Sequence, residues 1–330
     1  MLRGLPLLAA FLLKTVSAGP CDIYDLAGTP CVAAHSTVRA LLDNYYESLY
    51  QVKRVSDHMT LNILPLTPGG IANAASQDEF CKGHPCVISI IYDQSGNGNH
   101  LTPAPAGGAN KVPDKPAVAN RLPVKIGGKK AYGVLIQDGV GYRNNKAINT
   151  AKGNEAQDIY VVFSGKHFNE GCCFDYGNAE TTSNNDGPGT MEAIYFGNNT
   201  QWSRGEGPGP WVMADLEDGL FGCADKKYCP NNPTVEYDYL FAMLKGRSDK
   251  TFALKQGNAR SKKFETTYDG PRPKGYEIMK KQGAIILGIG GDNSAWGAGK
   301  FYEGAMIKGN ADDKVDEKIH KSVVSAGYGH

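Results

Sequence analysis

Apolar and polar residues alternate along most of the chain in runs of four to eight, and each run is closed by Gly, Pro, Asn or Asp. That period of two is the signature of strands with two distinct faces. It predicts strands at 87–92, 131–136, 159–163, 193–196, 211–215, 237–244, 251–254, 284–289 and 301–307. Two segments carry a helical period instead. Val38, Leu41, Leu42, Tyr45 and Leu49 follow the capping candidate Ser36, and Val315, Ile319 and Val323 form a stripe four apart behind Asp312 and Asp313. Many short strands and few helices predict an all-β sandwich rather than alternating βα units. The Pro- and Gly-rich stretch from Pro103 to Pro123 reads as a surface loop inside one domain.

Composition agrees. Among 330 residues, 41% are hydrophobic and 21% charged, which suits a folded domain with a sizeable core. Gly 41 and Pro 18 exceed ordinary usage and favour a turn-rich β fold. Lys+Arg 35 against Asp+Glu 34 leaves a net charge of +1, so nothing points to a nucleic-acid partner. No phosphate loop is present: the Gly-rich segment from Asp93 to His100 has no following Gly-Lys-Ser/Thr.

The first residues predict export. Arg3, the apolar run Leu5–Leu13 and the small residues Val16-Ser17-Ala18 form a signal peptide over 1–18, too short to span a bilayer. The expected location is therefore secreted and extracellular, without a membrane partner. The eight cysteines fit an oxidising compartment, and they fall in local couples: Cys21 and Cys31, Cys81 and Cys86, Cys172 and Cys173, Cys223 and Cys229. Zinc is disfavoured because no Cys-x-x-Cys spacing and no suitable His pair occur. Asn198-Asn199-Thr200 is a sequon, so Asn198 is a candidate glycosylation site.

Three segments could carry chemistry. On the strand from Trp211 to Glu217, alternation puts Val212, Ala214 and Leu216 on a core face. Trp211, Met213, Asp215 and Glu217 share the opposite face. An aromatic ring, a thioether and two carboxylates suit a sugar cleft, although an outer sandwich face with ordinary charges would also account for them. The second segment is an apolar strand running into Gly290-Gly291-Asp292. Paired glycines let backbone pass close to a ligand, and a plain turn with a helpful Asp is the alternative. The third is Cys172-Cys173. The other six cysteines already form local couples, which favours a bond between these neighbours, a strained arrangement of the kind retained at functional sites.

These segments resemble the catalytic domain of glycoside hydrolase family 54, the fungal α-L-arabinofuranosidase B family. The resemblance rests on Cys172-Cys173-Phe174-Asp175-Tyr176-Gly177-Asn178-Ala179-Glu180, Met191-Glu192-Ala193-Ile194-Tyr195 and the run from Ala284 to Ser294. It extends to Gly19–Tyr24 and Tyr92–Leu101, and so covers about 19–328. It implies a concanavalin-like β-sandwich (jelly roll) over 19–330. It also implies a retaining, exo-acting hydrolase that removes terminal α-L-arabinofuranosyl units from arabinoxylan, arabinan and related polymers. The family roles fall on Glu217 as nucleophile, Asp292 as acid/base, Asp215 and Gly291 as sugar ligands, and the Cys172–Cys173 bond packed against the arabinose. Trp202 and Met191 occupy matching wall positions. Disulfides Cys21–Cys31 and Cys81–Cys86 match the family, and Cys223–Cys229 reads as an extra staple. Neither a metal nor an organic cofactor is expected, and the expected state is a monomer.

Two departures stand out. The family follows its nucleophile with two Asn residues, where this chain has Asp218 and Gly219. Replacing both by Asn is expected to improve sugar binding. The family's C-terminal β-trefoil arabinose-binding domain has no counterpart before His330, so the expected organisation is a single catalytic domain. A lectin-like module that binds sugar with little or no hydrolysis is the alternative function on the same scaffold.

Overall fold

The computed structural model describes residues 18–330; the signal peptide read from the sequence lies outside the described residues except for Ala18. Two seven-stranded antiparallel sheets face each other. The first runs in the order Cys31–Ser36, Gly299–Lys308, Gln157–Ser164, Tyr239–Gly246, Thr251–Asn258, Phe264–Pro271, with Val134–Ile136 also paired to Gly299–Lys308. The second runs Leu220–Phe221, Trp211–Asp215, Glu192–Gly197, Asp175–Ala179, Ala284–Leu287, Tyr142–Asn144, Thr102–Pro103. The all-β sandwich predicted from alternation is the observed architecture.

Alternation explains how each strand divides its side chains. In Gln157–Ser164 every residue is buried. Ile159, Val161 and Phe163 enter the core between the sheets, where they join Tyr176, Ile194, Phe196, Val212 and Leu287. Tyr160 and Val162 point the other way, into a second core with Phe241, Met243 and Ile307. The C-terminal helix Asp313–Ser325 closes that second core with Val315, Ile319 and Val323, the stripe read from the sequence. Asp312 caps it by accepting a hydrogen bond from the Val315 N–H at 2.8 Å. The first sheet is thus covered on both faces. The second sheet has one face in the core and one left to build a site.

Three sequence readings change. The helix expected after Ser36 does not form. Val38, Leu41 and Leu49 are buried, but Leu41 N–H bonds to Gln94 Oε1 at 2.7 Å and Leu41 C=O accepts from Cys21 N–H at 3.0 Å. Tertiary partners therefore take the backbone groups that a helix would pair internally. Two short helices, Pro20–Leu26 and Ala74–Phe80, were not foreseen. The Pro103–Pro123 stretch is not a plain surface loop: Ala104, Ala117 and Ala119 are buried, and it braces the site described below.

A buried carboxylate ties the two sheets together. Glu192, on the site sheet, accepts from Arg272 Nη2 at 2.9 Å, Lys281 Nζ at 2.9 Å and Gln157 Nε2 of the other sheet at 2.9 Å. The side chains of Glu192, Arg272 and Lys281 are all fully buried. Burial alone would raise the Glu192 pKa, but the two cations outweigh it and hold the carboxyl below its usual range. Glu192→Gln leaves two buried cations without a counter-charge and is expected to cost about 3–5 kcal/mol at neutral pH. The difference from wild type should shrink as pH falls through the depressed folded-state pKa, because the charged partner is then lost from both proteins. Urea denaturation at pH 7 and at acidic pH measures both effects.

Candidate active site

The free face of the second sheet carries a cavity of about 420 Å³. Its lining includes Cys172, Cys173, Trp202, Asp215, Glu217, Asp218, Gly219, Gly291 and Asp292. Alternation on Trp211–Asp215 places them as the sequence suggested. Val212, Ala214 and Leu216 lie in the core, and Trp211 and Met213 pack with Cys173, Tyr195, Leu220 and Trp202 beneath the cavity floor. Met191 is the exception among the wall residues. It is fully buried with Ala179, Ala193 and Ile286, and it does not line the cavity.

Glu217 stands past the strand end in a tight turn. Glu217 and Asp218 both have positive φ, 60° and 56°. Asp215 Oδ1 accepts the Glu217 N–H at 3.1 Å, and Leu216 N–H bonds to Gly219 C=O at 3.1 Å. The strand thus ends in a side-chain-locked turn that aims Glu217 into the cavity. Asp292 is held similarly: its Oδ1 accepts the Ser294 N–H at 2.9 Å, and its carbonyl accepts the Ala109 N–H at 2.9 Å. The Pro103–Pro123 stretch supplies that last bond.

The two glycines before Asp292 serve close approach, since neither has a positive φ. A Cβ on Gly291 would collide with Glu180 Oε2 and stand 2.7 Å from Glu217 Oε2. Cys172 and Cys173 are bonded to one another, and Cys173 Sγ lies 3.5 Å from Asp215 Oδ2. Cys173 N–H bonds to Ser294 C=O at 3.2 Å and Trp296 N–H to Cys172 C=O at 3.1 Å, so the cystine wall and the Asp292 loop are zipped together. The other pairs are Cys21–Cys31, Cys81–Cys86 and Cys223–Cys229, as the spacing suggested.

Carboxyl groups dominate the electrostatics. Glu217 is pushed well up by burial and by Glu180, Asp215 and Asp292 around it. Burial, chiefly, raises Asp215 to about 7. Asp175, fully buried beneath, is pushed up by burial and by Asp215, and neither of its carboxyl oxygens has a hydrogen-bond partner among the described residues. The cation facing this cluster is Arg143. Its guanidinium donates to Gly291 C=O at 2.7 Å, to Glu180 C=O and to Asn145 Oδ1. Arg143 therefore pins the two carboxyl-bearing segments through their backbones while lending its charge to the cluster.

Sequence reasoning missed four contributors: Glu180, Arg143, Asn185 and Trp296. Arg143 and Asn185 carried no local pattern. Glu180 closed a quoted motif, yet nothing in its spacing marked it as facing Glu217. Trp296, 49% exposed, lines the mouth four residues after Asp292.

Positions 218 and 219 change the expectation drawn for them. Asn185 Nδ2 donates to Asp218 Oδ1 at 2.6 Å, so an amide already stands at this edge of the cavity. A Cβ on Gly219 would run into the buried Phe221 ring, itself packed against Tyr276. Asn at 219 is not accommodated without moving that pair. Asn198 is half-buried on the segment leading to Trp202.

A β-sandwich with paired carboxyls, an apolar platform and a cystine wall around one cavity defines a glycoside hydrolase type of site. Comparison with known proteins narrows the class. The family model described as "Alpha-L-arabinofuranosidase B, catalytic" matches residues 20–329. The chain belongs to that family, glycoside hydrolase family 54. It is 52% identical over 328 residues to an α-L-arabinofuranosidase B of Aspergillus niger, covering 98% of this chain and 66% of the relative. It is 53% identical over 320 residues to an α-L-arabinofuranosidase B of Emericella nidulans, covering 95% and 62%. Among solved structures it is similar to a Glu-to-Gln variant of a family 54 α-L-arabinofuranosidase soaked with 4-nitrophenyl α-L-arabinofuranoside. That match has a TM-score of 0.92 and 50% identity over 94% of this chain and 66% of the other. An arabinofuranosidase complexed with arabinofuranosyl-α-1,2-xylobiose matches with a TM-score of 0.92 and 51% identity over 94% of this chain and 65% of the other. The chain thus spans just under two thirds of these relatives.

Two outcomes test the site. On the roles that the family resemblance implies for them, Glu217→Gln and Asp292→Asn are each expected to cut turnover by at least about 100-fold with unchanged thermal unfolding. Gly219→Asn is expected to lower stability by about 1–3 kcal/mol through overpacking against Phe221, without a gain in sugar affinity; unfolding midpoints and KM measure it.

Proposed function

We propose that the protein is a secreted, retaining exo-α-L-arabinofuranosidase acting on terminal α-L-arabinofuranosyl units of arabinoxylan, arabinan and related plant polysaccharides. The carrying observation is the placement of Glu217 and Asp292 on the lining of one cavity, walled by the Cys172–Cys173 bond and Trp202. Glu217 attacks the anomeric carbon as Asp292 protonates the departing glycosidic oxygen. Water then enters, gives its proton to Asp292 and cleaves the ester on Glu217, so the configuration is retained. The carboxyls need a separation of about 5–5.5 Å for this route. Asp215 accepts hydroxyls of the bound sugar. The names of the relatives and the substrate seen with a similar structure favour arabinofuranosides over other glycosides. The secreted state draws support from four disulfides and a sequon. We take the working unit to be a monomer with no nucleic-acid or membrane partner.

Release of arabinose from 4-nitrophenyl α-L-arabinofuranoside, with the α-anomer seen first by NMR, is the expected outcome. Binding of arabinose oligosaccharides without release would make the protein a lectin-like module instead. Trp296 sits on the mouth beside the acid/base loop, where the leaving sugar must lie. Trp296→Ala is expected to raise KM on an arabinoxylo-oligosaccharide by roughly three- to tenfold, the equivalent of one lost aromatic contact. The aryl substrate, which has no second sugar to stack, should be much less affected.

A further inference from the structure

The turn that carries Glu217 is an unusual piece of backbone. Glu217 and Asp218 both take the left-handed conformation, with φ 60° and 56°. Residues with a Cβ adopt it at a cost, and it persists only where neighbouring groups hold it. Several of the turn's polar groups are tied by the strand itself or by the Asn185–Gly189 segment. Asp215 Oδ1 accepts the Glu217 N–H at 3.1 Å, Leu216 N–H bonds to Gly219 C=O at 3.1 Å, and Leu216 C=O accepts the Gly189 N–H at 2.7 Å. Asn185 Nδ2 holds the Asp218 side chain. The Asp218 carbonyl is held from elsewhere: the Tyr276 hydroxyl, 58 residues away in sequence, donates to it at 3.0 Å.

Nothing in the mechanism above uses Tyr276, yet it is set as a fixed strut. The residue is buried, and its N–H bonds to Pro273 C=O at 2.9 Å. Its ring meets Phe221 edge-on with 4.9 Å between centroids, and Phe221 fills the space that a side chain at 219 would need. Hydroxyl and ring therefore act on the two residues that follow the nucleophile, one directly and one through Phe221. Burial, and then Asp218, push the phenol up to about 12, so the donor keeps its proton at neutral and acidic pH. Tyr276 is not on the cavity lining, so it reaches the sugar only through the turn. We propose that Tyr276 is a positioning residue for the nucleophile: by pinning the Asp218 carbonyl it stops the two left-handed residues from relaxing and keeps Glu217 aimed into the cavity. Without that bond the peptide between Asp218 and Gly219 is free to rotate, and the Glu217 carboxyl swings off line as the turn relaxes. The cost falls on the transition state, because attack needs the reacting atoms aligned, while the sugar is still held by Asp215 and the cystine wall.

The inference rests on the reading of Glu217 as nucleophile. Its test is Tyr276→Phe, which keeps the ring against Phe221 and removes only the donor. On 4-nitrophenyl α-L-arabinofuranoside, kcat/KM is expected to fall about three- to tenfold, the equivalent of one hydrogen bond. The inhibition constant of free arabinose, which reports binding without reaction, should stay within about twofold of wild type. A merely structural role would lower the unfolding midpoint and leave kcat/KM unchanged in the folded variant, so an unchanged kcat/KM overturns the proposal. An inhibition constant that rises by the same factor as kcat/KM falls makes Tyr276 a support of sugar binding, and overturns it too. So does a variant that fails to fold, since the hydroxyl is then a requirement of the whole domain. Failure of the wild type to hydrolyse the substrate, or full activity in Glu217→Gln, would instead defeat the reading of the site itself.

Discussion

Crowding of like-charged groups is the constraint around which this cavity is built. Asp215, Glu217 and Asp292 line one cavity, Asp175 and Glu180 are buried behind it, and much of the cluster is shielded from water. In such surroundings carboxylates cannot all ionise, so protons must be retained and shared. The remaining features follow from that. Burial and Asp215 push Asp175 up. Arg143 brings a positive charge but spends its hydrogen bonds on two backbone carbonyls and the Asn145 amide, which fixes the segments without bonding any carboxylate. The wall is made of disulfide sulfur, which adds bulk and polarisability without charge. Gly291 yields its side-chain volume to two carboxyl oxygens.

The sandwich makes this arrangement mechanically possible. One sheet is buried on both faces and serves as a foundation. The other turns Val212, Ala214 and Ile194 into the core and Trp211 and Met213 toward the cavity. A one-residue slip in the pairing of the Trp211–Asp215 strand would exchange those faces and put Asp215 in the core. Glu192, with its two buried cations and its bond to Gln157, opposes relative sliding of the sheets. Site geometry and core packing are therefore enforced by the same register.

Most of this was legible where the signal was local. Alternation gave most of the long strands, though not Cys31–Ser36, Tyr228–Pro233 or Phe264–Pro271, and it gave the core face of Trp211–Glu217 and the fold class. Cysteine spacing gave the pairing, and the resemblance gave Glu217 and Asp292. Long-range effects were not legible. The segment after Ser36 has helical periodicity, but Gln94 and Cys21 claim its backbone. Met191 sits in a matching motif yet faces the buried side. Glu180 and Arg143 gain their meaning only when strands distant in sequence are placed side by side. Gly219 reads as a lost amide until Phe221 is seen against it.

The bond from Ala109 N–H to the Asp292 carbonyl bridges most of the chain's length, and the Cys172–Cys173 wall joins Ser294 and Trp296 across another long interval. Contacts of that kind form only after large loops have closed, so they come late in the self-assembly of a β topology. The cavity is thus complete only when segments far apart in sequence have been brought together. Partly collapsed forms can hold native strands and native cystines and still lack the Asp292 loop in place. An intact cavity is, for this molecule, a readout of whole-chain folding.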